Sequence, residues 1–226
     1  MDAFVNGIRL FYEQTGEGRP LVFLHGNGED HTIFEEAVEV LVPQFACYCL
    51  DSRGHGWSDE VEELHYRDMA DDLLAFLEEL DLRDAVLCGF SDGGIVSLLA
   101  AMETDRISDL IVCGANTRPR ALKRKAYLDI LFDHRRNPNI YNALLLREPH
   151  IPAEDLQRIR ARTLVVAGSR DIIRENNTRL IAGSIPGAEL LILPGEDHGS
   201  YISHSDRIAH IIMAFCASGK EPTWTV

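Results

Sequence analysis

Long apolar runs are missing from this chain. No stretch of its 226 residues approaches the ~20 needed to cross a bilayer, and residues 1–10 lack the basic-then-apolar pattern of a secretion signal. A cytoplasmic protein that makes no use of a membrane is therefore expected. Positive charge is scarce as well: 22 Lys and Arg stand against 36 Asp and Glu, a net charge of −14. Such a surface repels nucleic acid and anionic lipid, which leaves a small molecule as the expected partner and the oligomeric state open. Cys-x-x-Cys pairs are absent. Of the five cysteines, Cys47, Cys49, Cys88 and Cys113 lie in strand-like apolar runs, and Cys216 is the fifth. They read as small buried hydrophobes in a reducing compartment. None stands on a turn beside a base, which argues against a thiol nucleophile. The His and Cys positions do not follow finger or metalloprotease spacing, so no metal is expected.

Hydrophobic residues at 46% and charged residues at 26% are ordinary globular values, enough for a full core in one α/β domain. Residues 3–5 and 8–14 flank Asn6-Gly7, a strong hairpin signal. Apolar runs without alternation follow at 21–24, 47–50, 85–88, 110–114, 163–167 and 189–193, as for strands buried on both faces. Between them lie stripes at helical spacing: Phe34, Ala37, Val38 and Leu41; Tyr66, Met69, Ala70, Leu73, Leu77 and Leu80; residues 95–100; residues 177–184; and Ile208, Ile211, Ile212 and Phe215. This alternation predicts a mostly parallel sheet covered by helices on both faces. Only residues 117–160 break it, with short helical patterns interrupted by Pro138, Pro149 and Pro152.

The chemistry centres on Gly89-Phe90-Ser91-Asp92-Gly93, which sits between a buried strand and a helix. Two glycines permit a strained turn that lifts the Ser91 hydroxyl clear of the sheet. The helix beyond aims N–H groups at any anion formed there. A serine needs a base and an orienting carboxylate. Asp171 follows the strand at 163–167 and His198 follows the strand at 189–193. Carboxyl ends of parallel strands share one rim, so Ser91, Asp171 and His198 can meet as nucleophile, acid and base. Asp197, beside the histidine, is expected to point away, and His204 and His210 are expected on the last helix.

Five motifs in this order make the chain resemble the α/β-hydrolase superfamily: His25-Gly26, the Asp-Ser-Arg-Gly-His-Gly-Trp-Ser string at 51–58, the serine elbow, Gly168-Ser169-Arg170-Asp171, and Asp197-His198. The elbow, together with Cys113-Gly114-Ala115-Asn116, looks most like the biphenyl-hydrolase-like and valacyclovirase-type branch. The resemblance implies an α/β-hydrolase core of residues 1–116 and 161–226 with a short helical lid at 117–160. It implies an oxyanion hole formed by the backbone N–H groups of Asp92 and Asn27. His25 and the 51–58 string read as structural, with Arg53 tying strand-end loops together. Asn116 occupies the other position where relatives place the acid, but it carries no negative charge.

Three residues are candidates for substrate contact. Asp92 can anchor a cationic substrate group or simply stabilise the helix start. Trp57 can line the pocket or pack within its loop. Phe132 belongs to an apolar set expected to cover the pocket, with Leu128, Leu131, Tyr141, Leu144 and Leu145. The basic run Arg118, Arg120, Lys123, Arg124 and Lys125 is either an anion patch or a solvated helix face. The expected activity is cofactor-independent hydrolysis of small carboxylic esters or related acyl compounds through an acyl-enzyme. A carbon–carbon bond hydrolase or a perhydrolase would keep the same triad, and the fold also serves as a small-molecule receptor.

Overall fold

Buried β-branched, leucine and cysteine-rich runs become the strands of one eight-stranded sheet in the computed structural model, which describes residues 1–217. The strands are β1 (Asp2–Val5), β2 (Ile8–Thr15), β3 (Arg19–Leu24), β4 (Phe45–Leu50), β5 (Ala85–Phe90), β6 (Ile107–Cys113), β7 (Arg162–Gly168) and β8 (Glu189–Leu193). Their spatial order is β1-β2-β4-β3-β5-β6-β7-β8. The β1–β2 hairpin turns at Asn6-Gly7, where both residues have positive φ, and β2 runs antiparallel to β4. From β4 to β8 every pairing is parallel. The expected hairpin and mostly parallel sheet are both present. The last nine residues of the core proposed at 161–226 lie outside the described residues.

Helices α1 (Glu35–Leu41), α2 (Tyr66–Glu79), α3 (Asp92–Ala101), α4 (Arg124–Arg136), α5 (Ile140–Arg147), α6 (Glu175–Ser184) and α7 (Arg207–Ala217) complete the chain. Alternate strand residues feed two apolar layers. Val22 and Leu24 join Leu73, Phe76, Ile95 and Ile181 on the face covered by α2, α3 and α6. Leu21 and Phe23 join Phe34, Leu41, Ile208 and Phe215 on the face covered by α1 and α7. The four strand cysteines are buried and free. Phe34 ends a 3-10 turn rather than starting α1, because Asp30 caps that turn through the Thr32 N–H. His204 precedes α7 instead of lying on it, and its φ of +50° marks the bend that leads into the helix.

At the far end of the sheet from the serine turn, Asp109 of β6 holds Arg19 at 2.5 Å and Arg162 at 2.7 Å. This pins β3, β6 and β7 near their amino ends. Residues 117–160, between β6 and β7, form α4, α5 and 3-10 turns. Helix α4 buries no residue of its own.

Phe76 is fully buried and meets Tyr12 edge-on at 5.1 Å. Truncation there leaves a cavity between α2 and the sheet, so Phe76→Ala should lower unfolding free energy by about 3–5 kcal/mol. Urea denaturation measures this, and a loss below ~1 kcal/mol would contradict the packing described.

Candidate active site

The parallel strands end on one rim, and the turns beyond β3, β5, β7 and β8 bring their polar residues together there. Ser91 follows β5 with φ 50° and ψ −111°, a conformation that costs a non-glycine residue about 1–3 kcal/mol. The tight approach explains both flanking glycines. A Cβ on Gly89 would stand 2.2 Å from the Gly93 carbonyl, and one on Gly93 would stand 2.2 Å from the Leu24 carbonyl. The turn is held by the Ser91 N–H donating to the Cys113 carbonyl at 2.8 Å and the Gly93 N–H donating to the His25 carbonyl at 3.0 Å. As the first residue of α3, Asp92 has a backbone N–H with no acceptor inside its helix.

His198 Nε2 lies 3.0 Å from Ser91 Oγ, and its Nδ1 lies 2.7 Å from Asp171 Oδ1. A carboxylate partner places the imidazole proton on Nδ1 and leaves Nε2 free to accept. Asp171 is buried, and its Oδ1 also accepts the Ile173 N–H at 2.8 Å. Gly114 keeps this corner open: its φ is +61°, and a Cβ there would stand 2.9 Å from His198 Cε1. Asp197 turns away to accept the N–H groups of Gly199 and Ser200.

A cavity of about 300 Å³ opens beside Ser91 and His198. Its apolar wall is Phe90, Leu122, Ile130, Leu145, Ile172 and Ile173, and Asn27, Glu29, Asn116 and Ser203 supply its polar groups. Of the apolar set expected over the pocket, Leu145 lines it. Phe132 does not: it is 54% exposed on the outer side of α4, a correction to its expected substrate role. Trp57 is likewise corrected. It is 62% exposed and packs on Phe11 at 4.6 Å and His31 at 5.5 Å, because Asp51 draws its N–H into the 51–58 loop. The basic run is a solvated face, with Arg120 over the Tyr127 ring and Lys125 paired with Asp129.

Asp92 also departs from expectation as a substrate anchor. Its side chain is buried, at 1% exposure, and is absent from the cavity wall. One oxygen accepts the Tyr66 hydroxyl at 2.7 Å and the other accepts Asn27 Nδ2 at 2.8 Å. The carboxylate thus ties the Asn27 loop to the start of α3. Asn27 Nδ2 also reaches the Tyr141 carbonyl of α5 at 3.4 Å. His25 braces the same loop, with Nδ1 at 2.7 Å from the Gly26 carbonyl while Nε2 accepts the Ser52 N–H at 3.1 Å. Burial, helped by nearby His55, lowers the His25 pKa to about 3 and keeps the ring neutral. Arg53 makes a two-pronged contact with Asp72 of α2, at 2.6 and 2.7 Å.

The structure brings Ser91, Asp171 and His198 together on one rim, and it adds Glu29, Asn116 and Ser203 as cavity groups that sequence reading did not assign. The Gly-Asn-Gly-Glu stretch at 26–29 was the available signal for Glu29, since its glycines bring the following side chain back toward the rim. For Ser203 no periodic pattern existed, because residues 199–206 are irregular.

Burial raises the Asp92 pKa from 3.8 to about 6, against the pull of Tyr66, Asn27 and His198. A carboxyl group raised on folding destabilises the fold as pH climbs from its unfolded to its folded value. Asp92→Asn should therefore gain stability relative to wild type across the window from 3.8 to about 6, by up to roughly 3 kcal/mol. Urea unfolding of both proteins through that window measures it, and a pH-independent difference would show that Asp92 does not titrate there.

Residues 19–147 match the family model described as the alpha/beta hydrolase fold. The chain is 27% identical over 259 aligned positions to the AB hydrolase superfamily protein YisY of Bacillus subtilis, covering 93% of this chain and 96% of that one. Serine hydrolase BPHL of Mus musculus is 24% identical over 244 positions, with 93% and 84% covered. Among solved structures, an esterase from Exiguobacterium antarcticum superposes with a TM-score of 0.82 at 22% identity, covering 95% of this chain and 97% of that one. The sheet order, the strained serine turn and the extent of the family match agree, and the chain belongs to the alpha/beta hydrolase family.

Proposed function

We propose that the protein is a cofactor-independent serine hydrolase of small carboxylic esters or related acyl compounds. The observation that supports this most is the unbroken relay from Ser91 Oγ through both nitrogens of His198 to Asp171, at 3.0 and 2.7 Å, opening on a cavity. Ser91 attacks the acyl carbon while His198 takes the hydroxyl proton, and Asp171 stabilises the resulting imidazolium. The backbone N–H groups of Asp92 and Asn27 receive the oxyanion, a task for which one lost donor elsewhere has cost about 10²–10³ in rate. His198 then gives its proton to the departing alcohol. Water enters, His198 removes its proton, and attack on the acyl-enzyme releases the acid and restores Ser91.

The cavity volume and its aliphatic wall suit a short acyl chain. The mouse serine hydrolase and the Exiguobacterium esterase argue in the same direction. Tyr66, Asp92 and Asn27 act through position, holding the oxyanion loop against α3.

A fluorophosphonate probe should label the wild type and fail on Ser91→Ala. Release of p-nitrophenol from short-chain esters should fall about 10⁴-fold or more in the same variant. Labelling that survives the substitution would overturn the assignment of the nucleophile.

A further inference from the structure

Beside the relay, the cavity holds a carboxylate that the acyl-transfer chemistry does not use. Glu29 lies on the loop after β3, three residues beyond Gly26, and lines the same cavity as Ser91 and His198. It is held from two sides: the Gly26 N–H donates to Oε2 at 2.9 Å and the Ser203 hydroxyl donates to Oε1 at 3.2 Å. The seat is close, since a Cβ on Gly26 would stand 2.5 Å from Oε2. Each carboxylate oxygen can accept two hydrogen bonds, so both keep capacity for a donor arriving through the cavity.

No lysine or arginine lines this cavity among the described residues. Its remaining polar groups, Asn27, Asn116, Ser91 and Ser203, are neutral, and His198 is committed to Asp171. The chain as a whole adds a net charge of −14. An incoming carboxylate would therefore lose water, find no cation and meet Glu29. A cation would meet the opposite balance.

We propose that Glu29 selects substrates by charge: the site accepts esters whose acyl portion is neutral or cationic and rejects those whose acyl portion ends in a carboxylate. This rests on the hydrolase reading above. Glu29 does not touch the reacting atoms and acts as a specificity determinant. Burial raises its pKa above the ordinary carboxylate value, while the Gly26 N–H, the Ser203 hydroxyl, His198 and His204 oppose that rise. Asp92 also lies within electrostatic reach. The preference for cations should accordingly strengthen as pH rises and Glu29 ionises.

The test compares three p-nitrophenyl esters of similar chain length: butyrate, its terminal trimethylammonium analogue, and the monoester of succinate. In the wild type, kcat/KM for the succinate ester should fall on the order of tenfold or more below butyrate, and the cationic ester should equal or exceed butyrate. The difference should appear chiefly in KM. In Glu29→Gln the cationic-to-anionic ratio should contract on the order of tenfold, with Glu17→Gln, an exposed carboxylate just before β3 at the opposite end of the sheet, as a control that removes one charge from the chain and keeps the ratio. Hydrolysis of butyrate with equal rates on all three esters would overturn the charge selection alone. An unchanged ratio in Glu29→Gln would overturn the assignment to Glu29. Failure to hydrolyse butyrate at all would overturn the hydrolase reading and this inference with it.

Discussion

The site depends on one strained residue. Ser91 holds a backbone conformation that side chains disfavour, and the close packing of its turn is possible because Gly89 and Gly93, two positions away on either side, put no Cβ in the way. The Gly93 N–H reaches the His25 carbonyl across the gap between β3 and β5. That bond and the Asn27–Asp92 contact join the serine turn to the loop carrying Asn27 and Glu29. The start of α3, the cavity floor and the loop after β3 are therefore one rigid corner. Relaxing Ser91 would move all three at once.

Around that corner, polar groups are matched with unusual economy of partners. Asp92 takes Tyr66 on one oxygen and Asn27 on the other, His25 takes Gly26 and Ser52, and Asp51 takes the His31 and Trp57 N–H groups. Each buried group sits where an unmet hydrogen bond would be expensive. Neutral His25 and the hydrogen-bonded Asp92 hold loops in register, so the His198 imidazole remains the group poised beside Ser91 Oγ. Asp171 is one exception, as is His55, whose Nε2 is buried without a partner. The Asp171 Oδ2 is buried without a hydrogen-bond partner, so its charge is directed through Oδ1 at His198 and Ile173.

Much of this was legible from the chain alone, for physical reasons. Strands buried on both faces read as unbroken apolar runs, so β3 to β8 were visible, and Asn6-Gly7 announced the hairpin because both residues tolerate positive φ. Residues that follow strands fall on the rim, which located Ser91, Asp171 and His198 without any contact map. What the sequence could not reveal was side-chain direction. Asp92, Trp57 and Phe132 each occupied a plausible place, yet Asp92 turned inward to Tyr66, Trp57 folded onto Phe11, and Phe132 faced outward from a helix that buries nothing. Direction in loops and on exposed helices is set by partners distant in the chain, and no local period encodes it. Glu29 escaped notice for the same reason.

The Arg19–Asp109–Arg162 cluster sits at the opposite end of the sheet from all of this chemistry. It fastens three strands away from the Ser91 cavity, so the fold's anchorage and its cavity-bearing rim are separate territories. Rim residues that only line the cavity, such as Leu145 and Ile172, can then change without loosening the scaffold. An ancestor with this arrangement could acquire new substrates by exchanging Glu29, Leu145 or Ile172 one at a time while its strands stayed in register. Diversification in such a lineage is expected to concentrate on one edge of the molecule and to leave the other nearly still.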